Sequence, residues 1–116
     1  MQLALDHPLG IGPLQFYKLF IEDPHNTFLN AFMSGGWLAG SGYLALCTVT
    51  LVASTRFLLV RTPWQAVYHA IYAAYVGVIG ESIIIDIDHW RHYFLILGVL
   101  WGLMAATRRA VAATDA

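Results

Sequence analysis

His25 and Asn26 are the first candidates for chemistry in this sequence. They follow Asp23-Pro24 and precede a long uncharged run, and these residue types are typical of a helix start. The positive end of a helix dipole disfavours imidazolium, which favours a neutral His25 ring that accepts a proton. His25 is therefore a candidate general base for a hydroxyl nucleophile. The alternative is a histidine that only solvates the end of a helix.

A second polar group lies between residues 86 and 92. Five ionisable side chains occupy this stretch, in the order Asp86-Ile-Asp88-His89-Trp-Arg91-His92. Arg91 is a candidate anion contact, because guanidinium matches phosphate oxygens in a bidentate geometry. Asp88, His89 and His92 carry metal-binding atoms, but their spacing matches no recognised zinc signature, and we expect no metal and no cofactor. The alternative is a solvated turn in which Asp86 pairs with Arg91.

Glu81 is the only residue charged at neutral pH in the apolar run 64–85. A carboxylate inside such a run is costly and usually faces a cavity or a partner. Glu81 is a candidate for orienting His89 or Arg91 or for binding substrate hydroxyls, with a structural hydrogen bond as the alternative. It also ends a stripe at four-residue steps, which we expect to face other helices. The stripe contains His69, which we interpret as structural, Ala73, Gly77 and Glu81.

Three apolar runs must position these polar groups. Hydrophobic residues make up 59% of the 116 residues and charged residues 11%, and a soluble domain of this size cannot bury so much apolar surface. We therefore predict an all-α, polytopic membrane protein with about three transmembrane helices, over residues 27–55, 64–85 and 90–107. Residues 1–26, rich in proline and glycine, are predicted to form a loop segment, and residues 108–116 a tail.

The arginines predict the orientation. Arg56 and Arg61 lie in the first loop and Arg108 and Arg109 in the tail, whereas the second loop has only Arg91 among acidic residues. The positive-inside rule therefore places the first loop and the C-terminus in the cytoplasm. The N-terminal segment and the 86–92 turn then share the outer face. The net charge of −1 gives no basic field for nucleic acid.

Small residues recur at four-residue spacing in all three runs. Such pairs allow close approach of helix backbones, so they predict a tightly packed bundle. The pairs are Gly36-xxx-Gly40, Ala73-xxx-Gly77 and Gly98-xxx-Gly102.

Several motifs follow one another in a fixed order along the chain. They are His7-Pro-Leu-Gly-Ile-Gly-Pro13, Phe16, His25-Asn26-Thr-Phe-Leu29 and Gly36-Trp-Leu-Ala-Gly40, followed by Asp88-His-Trp-Arg-His-Tyr93 and Leu-Gly-x-x-Trp-Gly102. This order resembles the C-terminal part of the O-antigen ligase and O-antigen polymerase-like family, which are polytopic glycosyltransferases of the bacterial inner membrane. The resemblance covers nearly the whole chain.

The resemblance implies a reaction and a larger GT-C-like helical bundle. Such enzymes transfer a glycan from undecaprenyl diphosphate to an acceptor hydroxyl at the periplasmic face, without a nucleotide sugar. The acceptor is the lipid A core or a growing polysaccharide. By the resemblance, His25 deprotonates or positions that hydroxyl, and arginines bind the diphosphate. The substrate-binding candidates are Asn26, Glu81, Asp88, His89 and Arg91.

Members of that family have about ten spans or more, and most of their diphosphate-binding arginines precede this region. We therefore expect a C-terminal fragment, inactive alone, whose partners are membrane lipids and the missing N-terminal helices as a separate chain. The absence of a signal sequence before residue 27 favours the same hypothesis. Two alternatives stay open: a small non-enzymatic subunit that packs through its Gly-xxx-Gly faces, and an ion-handling subunit that uses Glu81 and His69.

Overall fold

Three helices make up most of the described chain. The computed structural model describes residues 5–12, 15, 18, 25–85 and 91–114, and no strand occurs in these ranges. The helices are α1 (Thr27–Thr55), α2 (Gln65–Glu81) and α3 (Arg91–Thr114). The predicted all-α class with three helices is confirmed for this part of the chain.

Two helix ends differ from the ends of the apolar runs. α2 ends at Glu81, and in the turn that follows the Glu81 carbonyl accepts hydrogen bonds from the amides of Ile84 (2.9 Å) and Ile85 (2.8 Å). α3 continues beyond Thr107 through an alanine-rich stretch to Thr114. Alanine and arginine have high helix propensity, so this helix outlasts its hydrophobic stretch.

α1 is broken at Gly36, where the sequence predicts one continuous run. Gly36 has φ 72° and ψ −168°, outside the helical region. It ends the tract Ser34-Gly35-Gly36, and sharp kinks commonly occur at such glycine and serine pairs. The stretch from residue 37 to residue 55 is then about 19 residues long, or roughly 28 Å at 1.5 Å per residue. That length alone is close to the thickness of a bilayer core, roughly 30 Å.

Two of the helices are long and apolar enough to cross a membrane. α1 has a mean hydropathy of 1.4 over its most apolar stretch, and the Arg91–Ala113 part of α3 has 1.5. Only 22% and 17% of those stretches are buried within the chain. α2 has 17 residues, which is short of the roughly 20 that a spanning helix needs.

The chain divides into two compact units. The first unit comprises the described residues of Met1–Cys47 and Ile79–His89, and the second unit those of Thr48–Val78 and Trp90–Ala116. The second unit has an aromatic core in which the Tyr75 and Tyr93 rings, both fully buried, stack with centroids 6.5 Å apart. Leu100 and Met104 of α3 are also buried.

Hydroxyl groups hold the helices of the second unit together. The indole N–H of Trp101 donates to Thr50 Oγ1 and that of Trp64 donates to Thr107 Oγ1, both at 3.0 Å. The Tyr68 hydroxyl donates to the Ser54 carbonyl at 2.7 Å. The bond from Trp64 to Thr107 places the first loop beside the C-terminal part of α3.

The small-residue pairs do not pack as predicted. Gly36 and Gly40 are buried, but against a loop and the Phe32 ring rather than another helix. Gly77, Gly98 and Gly102 are exposed, and a Cβ at any of them would meet nothing within 4 Å. The prediction that these pairs form the contacts between helices is therefore wrong within the described chain.

Candidate functional site

The start of α1 is anchored to the turn that follows α2. The Asn26 side-chain amide donates to the Ile83 carbonyl at 2.7 Å, and the Thr27 amide donates to the Ser82 carbonyl at 3.0 Å. The Thr27 hydroxyl donates to the Ile85 carbonyl at 3.1 Å, and Thr27 is fully buried. These bonds fix the start of α1 beside residues 82–85, whereas the predicted shared outer face of the N-terminal segment and the 86–92 turn stays a prediction.

Asn26 also caps α1, as its residue type predicts. Its side-chain oxygen accepts a hydrogen bond from the Leu29 amide at 2.9 Å, which satisfies one of the free donors of the first turn. Asn26 therefore fixes the direction of α1 and its attachment to the Ile83 carbonyl at the same time. His25 directly precedes this cap and is exposed.

Glu81 is the last residue of α2 and lies two residues before the Ile83 carbonyl that Asn26 binds. Its side chain is exposed, as are the other three members of the stripe at four-residue steps, His69, Ala73 and Gly77. The prediction that this stripe faces other helices is therefore wrong within the described chain. The buried face of α2 contains Tyr68, Tyr75 and Val78 instead, because the large aromatic rings fill the core. His69 bonds the Leu58 carbonyl at 2.7 Å through Nε2, which agrees with its structural interpretation.

The remaining predicted site residues do not lie in the described part of the first unit. Arg91 is the first residue of α3 and is exposed in the second unit. Asp88 and His89 lie outside the described residues. The structure thus brings His25 and Asn26 close to the end of α2 that contains Glu81. The roles of all six as catalytic or substrate-binding residues stay predictions.

Residues 7–12 form a loop that fills the break in α1 at Gly36. The sequence did not predict this contact. The amides of Ile11 and Gly12 donate to the carbonyls of Met33 and Ser34, both at 2.9 Å, and the Trp37 amide donates to the Pro8 carbonyl at 3.0 Å. These bonds replace helical hydrogen bonds that the kink removes, so the backbone groups at the break are satisfied. We call this contact between residues 7–12 and 33–37 the loop clamp.

Two glycines make the loop clamp possible. Gly10 has φ 81° and Gly36 has φ 72°, values that side chains other than glycine rarely allow. A Cβ on Gly36 would lie 2.7 Å from the Gly10 nitrogen and 2.5 Å from the Leu9 carbonyl carbon. A Cβ on Gly10 would lie 2.5 Å from the Gly36 nitrogen. The two backbones therefore touch at positions where no side chain fits.

An open cavity of about 460 Å³ adjoins the loop clamp. It is lined by His7, Gly10, Ile11, Gln15 and Lys18. Lys18 brings a positive charge and His7 and Gln15 bring hydrogen-bonding groups, which together suit an anionic or hydroxylated ligand. Sequence reasoning missed this cavity, and the available signal was the proximity of Lys18, the first basic residue, to the glycines of the 7–13 motif.

The chemistry available at this end of the first unit is proton transfer and anion binding. Among the described residues, no group of three or more His, Cys, Asp and Glu side chains is arranged to hold a metal ion. Among the described residues of the first unit, the exposed His25 at the start of α1 and the cavity with Lys18 are candidate features for this chemistry. No family model, no curated protein and no solved structure matches this chain.

Proposed function

We propose that this chain is part of a bacterial inner-membrane glycosyltransferase of the O-antigen ligase or polymerase type. It contributes the C-terminal helices of a GT-C-like bundle, with the N-terminal segment in the periplasm and the C-terminus in the cytoplasm. The observation that carries the proposal is the exposed His25 directly before the capped start of α1, which is anchored to the end of α2.

Membrane insertion is supported by the low burial of the apolar helices. A core helix of a soluble protein would be mostly buried, whereas 22% and 17% of the two candidate spans are buried here. Large apolar side chains such as Leu38 (87% exposed) and Leu95 (66% exposed) face away from the chain. Contact with lipid tails removes such surface from water, and roughly 25 cal/mol per Å² favours that transfer.

The proposed reaction forms one glycosidic bond and breaks one bond between sugar and phosphate. The acceptor hydroxyl oxygen attacks the anomeric carbon of the glycan, and its proton passes to the His25 imidazole. The bond from that carbon to the phosphate oxygen breaks, and undecaprenyl diphosphate leaves with the electron pair. Asn26 positions His25 through the cap, and a general base of this kind contributes about 10² to 10⁴ in rate.

Cations near the leaving diphosphate stabilise the charge that develops on it. Arg91 is the anion contact that its guanidinium chemistry predicts, and Lys18 with His7 in the open cavity is a second candidate source of such contacts. Glu81, Asp88 and His89 complete the proposed set that binds donor or acceptor hydroxyls. The glycan donor and the lipid A core or polysaccharide acceptor are the proposed substrates.

The proposal is tested by His25→Ala at the native gene locus, with glycan attached to lipid A or to polymer measured on gels. We expect attachment to fall about 100-fold or more, because the general base is lost. His69→Gln is the matched control, since a glutamine amide still bonds the Leu58 carbonyl and His69 has no proposed catalytic role. Unchanged attachment in the His25→Ala strain, with the protein retained in the membrane, would overturn the catalytic assignment.

A second candidate is a non-enzymatic subunit that packs against a larger membrane protein. The exposed glycines of α3, Gly98 and Gly102, favour it because nothing lies within 4 Å of a Cβ built there. Gly98→Ile should then release a partner in mild detergent, whereas Gly42→Ile, at an exposed glycine of α1, should not. This candidate is preferred if Gly98→Ile removes a partner and His25→Ala leaves every glycan product unchanged. The ligase proposal also needs further helices, so only the glycan measurement separates the two candidates.

A further inference from the structure

An apolar groove runs along the C-terminal part of α1 and ends at an arginine. Its volume is about 300 Å³, and its lining residues are Thr48, Val49, Val52, Ala53 and Arg56. These residues recur at one-, three- and four-residue steps, so they lie on one face of the helix. Apart from the Thr48 hydroxyl, the lining of the groove is hydrocarbon up to the guanidinium of Arg56.

Other arginines lie near the same end of the second unit. The Arg108 guanidinium carbon lies 5.5 Å above the centre of the Phe57 ring, next to Arg56 in sequence. Arg109 follows Arg108, and the bond from Trp64 to Thr107 holds this part of α3 against the first loop. All three arginines are exposed, as is Arg61 of the loop. We call Arg56, Arg61, Arg108 and Arg109 the arginine end.

No acidic side chain among the described residues of the second unit balances the charge of the arginine end. Within the described residues of the second unit, between positions 48 and 78 and between 91 and 114, there is no aspartate or glutamate. Arginine also pairs with phosphate oxygens through two parallel hydrogen bonds. A ligand that fits this surface therefore has an anionic phosphate group beside an apolar chain.

We propose that the groove binds one acyl chain of an anionic phospholipid, whose phosphate contacts Arg56. The inference rests on the proposed membrane insertion, and it adds a lipid site that the glycan-transfer proposal does not contain. A free phosphate would leave the apolar groove empty, so the groove and the arginines together select a lipid. The positive-inside rule places the arginine end in the cytoplasmic leaflet, where anionic lipids and basic side chains meet.

Native mass spectrometry of the full chain tests the site. The protein, purified in detergent, is exposed to equal amounts of dioleoylphosphatidylglycerol and dioleoylphosphatidylcholine, and the retained lipids are counted. We expect the protein to retain about five times more phosphatidylglycerol than phosphatidylcholine, because that is the preference for anionic lipid that a single arginine near a membrane surface provides. Arg56→Gln should reduce that preference to near parity, and Arg56→Lys should keep most of it. Added glycerol 3-phosphate should displace the lipid poorly, because it lacks the acyl chain.

A second pair of variants tests whether the apolar groove binds the acyl chain. Val52→Phe fills it without changing charge and should lower retention of both lipids, whereas Val67→Phe, on α2 outside the groove, should not. Equal retention of the two lipids by the wild type, or unchanged preference in Arg56→Gln, would overturn the proposal. Equal loss of lipid in Val52→Phe and Val67→Phe would overturn the groove assignment. Release of the wild type from membranes by alkaline carbonate would instead refute the membrane insertion on which both proposals depend.

Discussion

The contacts within the two units of the chain differ in kind. In the first unit the contacts at the loop clamp and between Thr27 and Ser82 join backbone to backbone, beside the side-chain bonds of Asn26. In the second unit they join side chains, chiefly tyrosines, tryptophans and hydroxyl groups. Backbone contacts at the clamp need glycine and tolerate no side chain, whereas the aromatic contacts need large side chains. We therefore expect added volume to destabilise the loop clamp and lost volume to destabilise the aromatic core.

The units also differ in charge. The sequence of the first unit contains six acidic residues and one lysine, whereas that of the second unit contains five arginines and one aspartate. The acidic unit carries the proposed catalytic residue His25, and the basic unit carries the proposed lipid site. The two proposed sites thus belong to different units of the chain.

The largest effect is expected from a loss of volume in the second unit. Tyr75→Ala removes a fully buried ring that stacks on Tyr93, and we expect the free energy of unfolding in detergent to fall by about 4 kcal/mol. Val76→Ala, at a neighbouring residue that is 42% exposed, is the control and should change it by less than about 1 kcal/mol. Similar losses in the two variants would contradict an aromatic core in this unit.

A gain of volume should break the first unit. Gly36→Ala places a Cβ against the backbone of residues 8–10 at a positive φ, so we expect a loss of about 3 kcal/mol in the free energy of unfolding. Amide exchange should also speed up at Ile11, Gly12 and Trp37, whose hydrogen bonds form the clamp.

The matched control for this substitution is Gly42→Ala, an exposed helical position in the same unit where a Cβ meets nothing within 4 Å. Since alanine is the better helix former, that variant should be neutral or more stable by up to about 1 kcal/mol. The loop clamp is refuted if Gly36→Ala leaves exchange at Trp37 as slow as in the wild type.

The helices were predictable from the sequence, but the break in α1 was not. Uncharged runs bounded by polar residues locate helices well, and residue type alone marked Asn26 as a helix-start residue. The kink at Gly36 depends on a loop more than twenty positions earlier, and hydrogen bonds between backbones leave no residue signature. Ser34-Gly35-Gly36 was the only local sign, and glycines are common enough in apolar helices to hide it.

The sequence also predicted only part of the candidate site. The sequence indicated that His25 and Asn26 lie where a helix starts. It did not indicate the partner of Asn26, because Ile83 contributes only a carbonyl. The exposure of the stripe that includes Ala73 and Gly77 was also missed, since periodicity identifies a face but not whether that face is covered.

Asn26 offers a smaller test that separates its two roles in the first unit. Asn26→Ala removes both the cap on the Leu29 amide and the bond to the Ile83 carbonyl, so we expect a loss of about 2 kcal/mol. Asn26→Asp keeps an acceptor for the cap but has no amide donor, and it should lose roughly half as much. Thermal and denaturant unfolding of both variants measure the difference. Equal losses would show that the bond to Ile83 contributes nothing beyond the cap.

The smallest predicted effect tests whether single hydroxyl contacts matter in the second unit. Trp101→Phe and Thr50→Val each remove one partner of a 3.0 Å hydrogen bond, and their double-mutant cycle isolates its energy. We expect a coupling of about 0.6 kcal/mol, the average for such bonds between membrane helices. That value is far below the expected loss at Tyr75, so the second unit would depend on ring packing more than on hydrogen bonds. A coupling as large as the Tyr75→Ala loss would reverse that order and assign the stability of the unit to its hydroxyl contacts.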